Sequence, residues 1–163
     1  MKPSTYLLLF FGLILWSCVD TEEPGPTITE IRDLPPYSKV EMNGPLELRI
    51  NPDYDFDIRI TAPDNVMEYM ETFVTTERLI INERDNRVDH DPILVEISEN
   101  RLERIELNGS GVIISEDTIF NQNLIVELGG SGSIDLLIDC TELRTNLDGS
   151  GKITASGNAE KAN

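Results

Sequence analysis

Three copies of one short pattern constrain the fold of this chain more than any other feature. Leu107-Asn108-Gly109-Ser110-Gly111, Leu128-Gly129-Gly130-Ser131-Gly132 and Leu147-Asp148-Gly149-Ser150-Gly151 place Gly-Ser-Gly at steps of 21 and 19 residues. A period near 20 is one coil of a β-solenoid, in which each repeat buries its apolar side on the repeat beside it. Val40-Glu41-Met42-Asn43-Gly44 echoes the strand and turn without the second glycine. Leu107, Leu128 and Leu147 then share one column, and Ile113, Ile134 and Ile153 another just past the corner. Both read as inward aliphatic ladders, with Glu106, Glu127 and Asn146 on the outward alternate positions. Asn108, Gly129 and Asp148 share the slot before each Gly-Ser-Gly. Residues of these types tolerate positive φ, so that slot is expected to take the left-handed turn conformation.

The rest of the chain also reads as short strands. Ile28–Ile31, Val40–Met42, Leu46–Ile50 and Phe56–Ile60 alternate apolar and polar residues, which makes strands with one wet face. Pro35-Pro36, Asn43-Gly44-Pro45 and Asn51-Pro52-Asp53 separate them. A helical turn is expected at Pro63–Tyr69, with Pro63 near its first position and Val66, Met67 and Met70 available to pack. Phe73–Thr75 and Leu79–Asn82 should form a hairpin. A charged loop, Glu83–Pro92, precedes a strand at Leu94–Ile97.

The N-terminus reads as an address. Lys2 is the one charge in residues 1–17, and an apolar run follows from Tyr6 to Trp16. That run is too short to cross a bilayer as a helix, which needs about 20 residues, and it has the form of a secretory signal. Its end, Leu15-Trp16-Ser17-Cys18, resembles the bacterial lipobox. The resemblance implies cleavage before Cys18 and lipidation of its thiol, hence attachment to the membrane through lipid. Residues 18–27 are an acidic, Pro-rich tether with nothing to pack, and residues 28–163 are the folded domain. Asp20, Glu22 and Glu23 resemble the export tag of surface lipoproteins in some Gram-negative phyla. The expected location is the outer membrane, surface-exposed or periplasmic.

The lipobox, the early Val-Glu-Met-Asn-Gly strand and the repeated Leu-x-Gly-Ser-Gly together resemble the putative auto-transporter adhesin, head GIN domain family, from about Ile31 to the end. That resemblance implies a right-handed parallel β-helix and carries no catalytic residues to transfer. The family's Gly-Ile-Asn tripeptide does not occur here. By the period, a further strand and corner should follow Ala155–Asn158, so the domain is expected to be truncated at its C-terminus.

The chemistry is sparse. A net charge of −17 repels phosphate and excludes nucleic acid as a partner. In Gly129-Gly130-Ser131-Gly132-Ser133-Ile134-Asp135, Asp135 falls one residue late for a calcium β-roll repeat, which in a strand puts it on the wrong face. Asp85–Asp91 holds the sole histidine, His90, but lacks EF-hand spacing and reads as a solvated charged loop. Cys140 reads as a reduced, buried thiol. Pectin-cleaving β-helices need paired carboxylates across a groove or a calcium site, and Asp135, Asp139, Glu142 and Asp148 form no recognisable set. The expectation is a non-enzymatic protein without metal or cofactor, a binding module that grips an unidentified protein or glycan on a solenoid face. The alternatives are a periplasmic structural or envelope-stress lipoprotein and a polysaccharide-active enzyme.

Overall fold

A computed structural model describes residues 22–84 and 88–163. The signal, the lipobox and Cys18 lie outside the described residues, as do Asp85, Asn86 and Arg87. Among the described residues the fold is all-β. Eleven strands form one sheet, with a single turn of helix, α1 (Asp64–Met67). Pro63 is the residue just before that turn, at its N-cap, and Val66 and Met67 are its buried residues.

The strands are β1 (Thr27–Arg32), β2 (Lys39–Asn43), β3 (Glu47–Ile50), β4 (Ile58–Pro63), β5 (Met70–Thr75) and β6 (Arg78–Glu83). They continue with β7 (Leu94–Ile97), β8 (Arg104–Gly109), β9 (Val112–Gly130), β10 (Ser133–Gly149) and β11 (Lys152–Ala162). The N-terminal part is mixed. β1 pairs antiparallel with β4, β4 with β7, and β5 with β6. The β5–β6 hairpin turns at Thr76 and Glu77, whose φ values of 52° and 59° suit a two-residue turn of primed type. All the other pairings are parallel: β2 to β6 and β8, β3 to β7 and β9, and β8, β9, β10 and β11 in succession.

The expectation of short strands is corrected here. β9 and β10 run 19 and 17 residues without a break, because each hydrogen-bonds along nearly its whole length to the strand one repeat away. Leu128 lies beside Leu107 and Leu147, and Ile134 beside Ile113 and Ile153. The ladders begin earlier than the repeats do. Ile81 and Met42 continue the leucine column, while Ile60, Val95 and Leu48 continue the isoleucine column. All are fully buried. Burying one such side chain stabilises by about 1.5–3 kcal/mol. Leu147 departs from its predicted inward place: it is 47% exposed, because no strand among the described residues lies beyond Thr145–Gly149 of β10.

The repeats differ in length by two residues, and the difference is taken up at one place. Register passes from Asp135↔Ile114 to Leu137↔Thr118, so β9 bulges over Ser115–Asp117. The displaced Leu137 amide donates instead to the buried Ser115 hydroxyl at 2.6 Å, which keeps a buried polar pair satisfied. The bulge also carries Glu116 outward, where Asn51 Nδ2 and the Tyr54 hydroxyl donate to its carboxylate at 3.1 and 3.0 Å. These bonds, Asn51 first, hold Glu116 below its ordinary pKa.

The N-terminal tether is not wholly unpacked. Asn65 Nδ2 donates to the Glu23 carbonyl at 3.0 Å, and the Gly25 amide donates to Asn65 Oδ1 at 2.8 Å. Thr27 already belongs to β1.

Candidate functional site

The corners assemble as the repeat predicts, with one correction. The residue at positive φ is the first glycine of each Gly-Ser-Gly: Gly109 at 129°, Gly130 at 127° and Gly149 at 134°. Asn108, Gly129 and Asp148 keep strand geometry, so the left-handed slot lies one residue later than their composition suggested. Gly44, at 104°, is the same corner in the first echo. The second glycine answers to crowding. A Cβ at Gly132 would stand 2.8 Å from Leu107 Cδ2, and one at Gly111 would stand 2.6 Å from the Leu46 carbonyl oxygen. Successive corners bond to each other: the Ser131 and Gly132 amides both donate to the Gly109 carbonyl at 3.0 Å, and those of Ser150 and Gly151 to Gly130. Ser110, Ser131 and Ser150 are exposed at the tips.

Next to the corners, the outward residues of β6, β2, β8, β9 and β10 stand in rows. One row is Arg78, Lys39, Arg104, Ile125 and Arg144; the next is Ile80, Glu41, Glu106, Glu127 and Asn146; the third is Asn82, Asn43, Asn108, Gly129 and Asp148. Strands spaced about 4.8 Å apart bring each side chain against its row neighbours. Arg78 pairs with Glu41 at 2.6 Å and Glu106 at 3.4 Å, and Arg104 with Glu127. Asn43 Nδ2 donates to Asn82 Oδ1 at 2.6 Å, and Asn108 Nδ2 to Asn43 Oδ1 at 3.0 Å. The amides also donate back along their own strands, Asn43 to Glu41 and Asn108 to Glu106. This ladder face is largely polar, and from Arg78 to Glu127 much of it is bonded to itself.

A different surface lies on the middle stretch of β9, β10 and β11. There two outward rows run side by side: Thr118, Leu137 and Ser156, then Phe120, Asp139 and Asn158. Phe120 is 50% and Leu137 40% exposed. A hollow of about 270 Å³ opens between the rows, over Gly157. A second hollow adjoins it, sharing Asp139, Gly157 and Asn158. Gly157 has φ 129°, and a Cβ there would collide with the Ile138 backbone.

The candidate reactive groups stay apart. Asp135, Asp139 and Asp148 are exposed at separate points along β10, and Glu142 accepts from Arg144 at 3.0 Å. Among the described residues, no three His, Cys, Asp or Glu side chains converge on a metal-sized space. His90 is partly buried, with Nδ1 2.7 Å from the Asp91 carbonyl oxygen and Nε2 2.9 Å from Glu83 Oε1. Burial opposes its charge, but the Asp91 carbonyl and the Glu83 carboxylate outweigh it and raise its pKa. Cys140 is a buried thiol, and burial, with Asp139 beside it, pushes its pKa up.

Sequence reasoning found the corners and the glutamate row but missed the asparagine ladder. Asn82 sits in a hairpin outside the repeat, and only the parallel pairing of β2 with β6 reveals its register. It also missed the Phe120 surface, since Phe120, Asp139 and Asn158 lie outside the Gly-Ser-Gly motif.

Solved structures that share the architecture include the following two. A putative adhesin from Bacteroides fragilis NCTC 9343 superposes with TM-score 0.77 at 19% identity, over 86% of this chain and 67% of that one. A putative lipid binding protein from Parabacteroides distasonis ATCC 8503 does so with TM-score 0.70 at 21% identity, over 85% of this chain and 62% of that one. The chain thus spans about two thirds of their length. Identities this low show the fold alone. Among curated proteins none matches. Residues 36–163 match the family described as "Putative auto-transporter adhesin, head GIN domain", which takes in every repeat, the ladder face and the Phe120 surface; the chain belongs to that family.

Proposed function

We propose that the chain is a non-enzymatic binding module of the cell envelope, anchored by lipid on Cys18 and presenting a face of its sheet to a protein or glycan. On this reading residues 1–17 are removed as a signal and the segment after Cys18 links lipid to domain. The parallel succession β8, β9, β10 and β11 is a stretch of right-handed parallel β-helix. The observation that carries it is the ladder face. Its Arg78 and Arg104, its glutamates and its Asn43, Asn82 and Asn108 are held in place by their neighbours, so they are ordered before any partner arrives, and a preorganised surface loses less entropy on binding. Membership of an adhesin-named family points the same way.

The test is protease shaving of intact cells expressing the full chain or its Cys18→Ala variant, with a periplasmic protein as control. The reading expects the full chain in the membrane fraction and degraded by external protease, and the variant lost from membranes. A chain that resists protease until the outer membrane is broken faces the periplasm, and the accessory-lipoprotein reading replaces display. A variant that still pellets with membranes removes the anchor from Cys18.

A further inference from the structure

We infer that the groove over Gly157, between the row of Thr118, Leu137 and Ser156 and the row of Phe120, Asp139 and Asn158, binds a neutral saccharide. This rests on the binding-module reading and adds to it a site apart from the ladder face, with its ligand class. The first observation is a contrast between two faces of one sheet. On the ladder face Arg78, Arg104, Glu41, Glu106, Glu127, Asn43, Asn82 and Asn108 bond to each other. In the groove, the side chains of Asp139, Ser156 and Asn158 make no hydrogen bond or ion pair among the described residues, so their donors and acceptors remain available.

The second observation is the company these groups keep. Phe120 and Leu137 form an apolar step on an acidic surface, beside a carboxylate, an amide and hydroxyls. A concave site with an apolar floor and a few placed polar groups is the general form of a small-molecule site. Here the form suits a sugar ring. The C–H face of the ring lies on the electron-rich face of Phe120, while Asp139 accepts from ring hydroxyls and Asn158 both donates and accepts.

The third is size and charge. Three strands about 4.8 Å apart, with alternate residues nearly 7 Å apart along each, give a patch of about 10 by 7 Å. That is the scale of a short saccharide rather than a folded protein partner. No Lys or Arg lines either hollow, and the chain carries a net charge of −17. Uronates and sulfated or sialylated glycans are therefore repelled.

The experiment is saturation-transfer NMR on the full chain purified from the cell envelope. The probes are cellotetraose, mannotetraose, xylotetraose and tetra-N-acetylchitotetraose, with tetragalacturonate as the anionic control. The inference expects transfer to at least one neutral probe and none to tetragalacturonate. Phe120→Ala should weaken binding about tenfold or more, and Phe120→Tyr should restore it. Circular dichroism checks that both variants are folded. Asp139→Asn keeps the size of the side chain and should weaken binding by removing an acceptor. Silence from every neutral probe overturns the inference, as does equal binding of tetragalacturonate or full affinity in Phe120→Ala. Any of these outcomes in a chain that external protease still removes from intact cells overturns the groove alone and leaves the display reading standing.

Discussion

Asn43 and Asn108 are 65 residues apart in sequence, yet the Asn108 side-chain amide donates to Asn43 Oδ1 at 3.0 Å. The bond crosses between two parallel strands that stand at the same register, and Asn43 passes it on to Asn82. Asn43→Asp removes the donor that serves both Asn82 and Glu41 and sets a carboxylate beside another. It should destabilise the fold by about 1–3 kcal/mol, read as a lower urea midpoint with an unchanged slope. An unchanged midpoint would mean that water replaces these bonds at no cost.

The corners make a sharper prediction, because their two residue types do different work. Gly132→Ala forces a methyl against Leu107 and the neighbouring corner, and should cost 2 kcal/mol or more by the overpacking rule. Ser131→Ala touches an exposed tip and should stay within about 0.5 kcal/mol. Thermal denaturation of the pair checks this. Equal losses would show that the hydroxyl, not the space, maintains the corner.

Leu128 and Leu147 occupy one column of the sequence pattern but not one environment. Leu128→Asp buries an unpaired charge and should abolish the folded β signal in circular dichroism. Leu147→Asp, at a half-exposed position, should leave the melting temperature within a few degrees. A folded Leu128→Asp variant would mean that the register of β9 is wrong.

His90 gives the fold a pH dependence with a defined sign. Both ring nitrogens face acceptors, the Asp91 carbonyl and the Glu83 carboxylate, with Asp89 also nearby. Two acceptors call for two N–H donors, so the imidazolium fits the site and its pKa in the folded state is raised. The resulting stability is present in full below the unfolded value of about 6.5. It is lost as pH rises through the higher folded value. As pH rises from below 6.5, the melting temperature of the wild type should therefore fall more steeply than that of His90→Ala. Parallel curves would remove His90 as the cause.

How much was legible depended on the range of the signal. The Gly-Ser-Gly spacing predicted which residues meet across strands, because a repeat states its own register: Leu107, Leu128 and Ile134 are where it put them. Pairings outside the repeat were not legible. β1 with β4 and β2 with β6 join segments of unlike sequence, and only three-dimensional packing selects them. The left-handed slot was misplaced by one because Asn108 and Asp148 share glycine's tolerance of positive φ, and composition cannot rank them once Gly109 and Gly149 stand next to them. The site on Phe120 needed the pairing of three strands before its members became neighbours.

The two-residue bulge at Ser115–Asp117 has a consequence for how such a chain can change. Glycines packed closely at the three Gly-Ser-Gly corners leave no slack there, so an insertion or deletion at such a corner would throw whole columns out of phase. At the bulge, the Ser115 hydroxyl stands in for a missing ladder partner, and extra residues simply swing outward. It works as an expansion joint: length can vary at that point while the surfaces on either side keep their alignment.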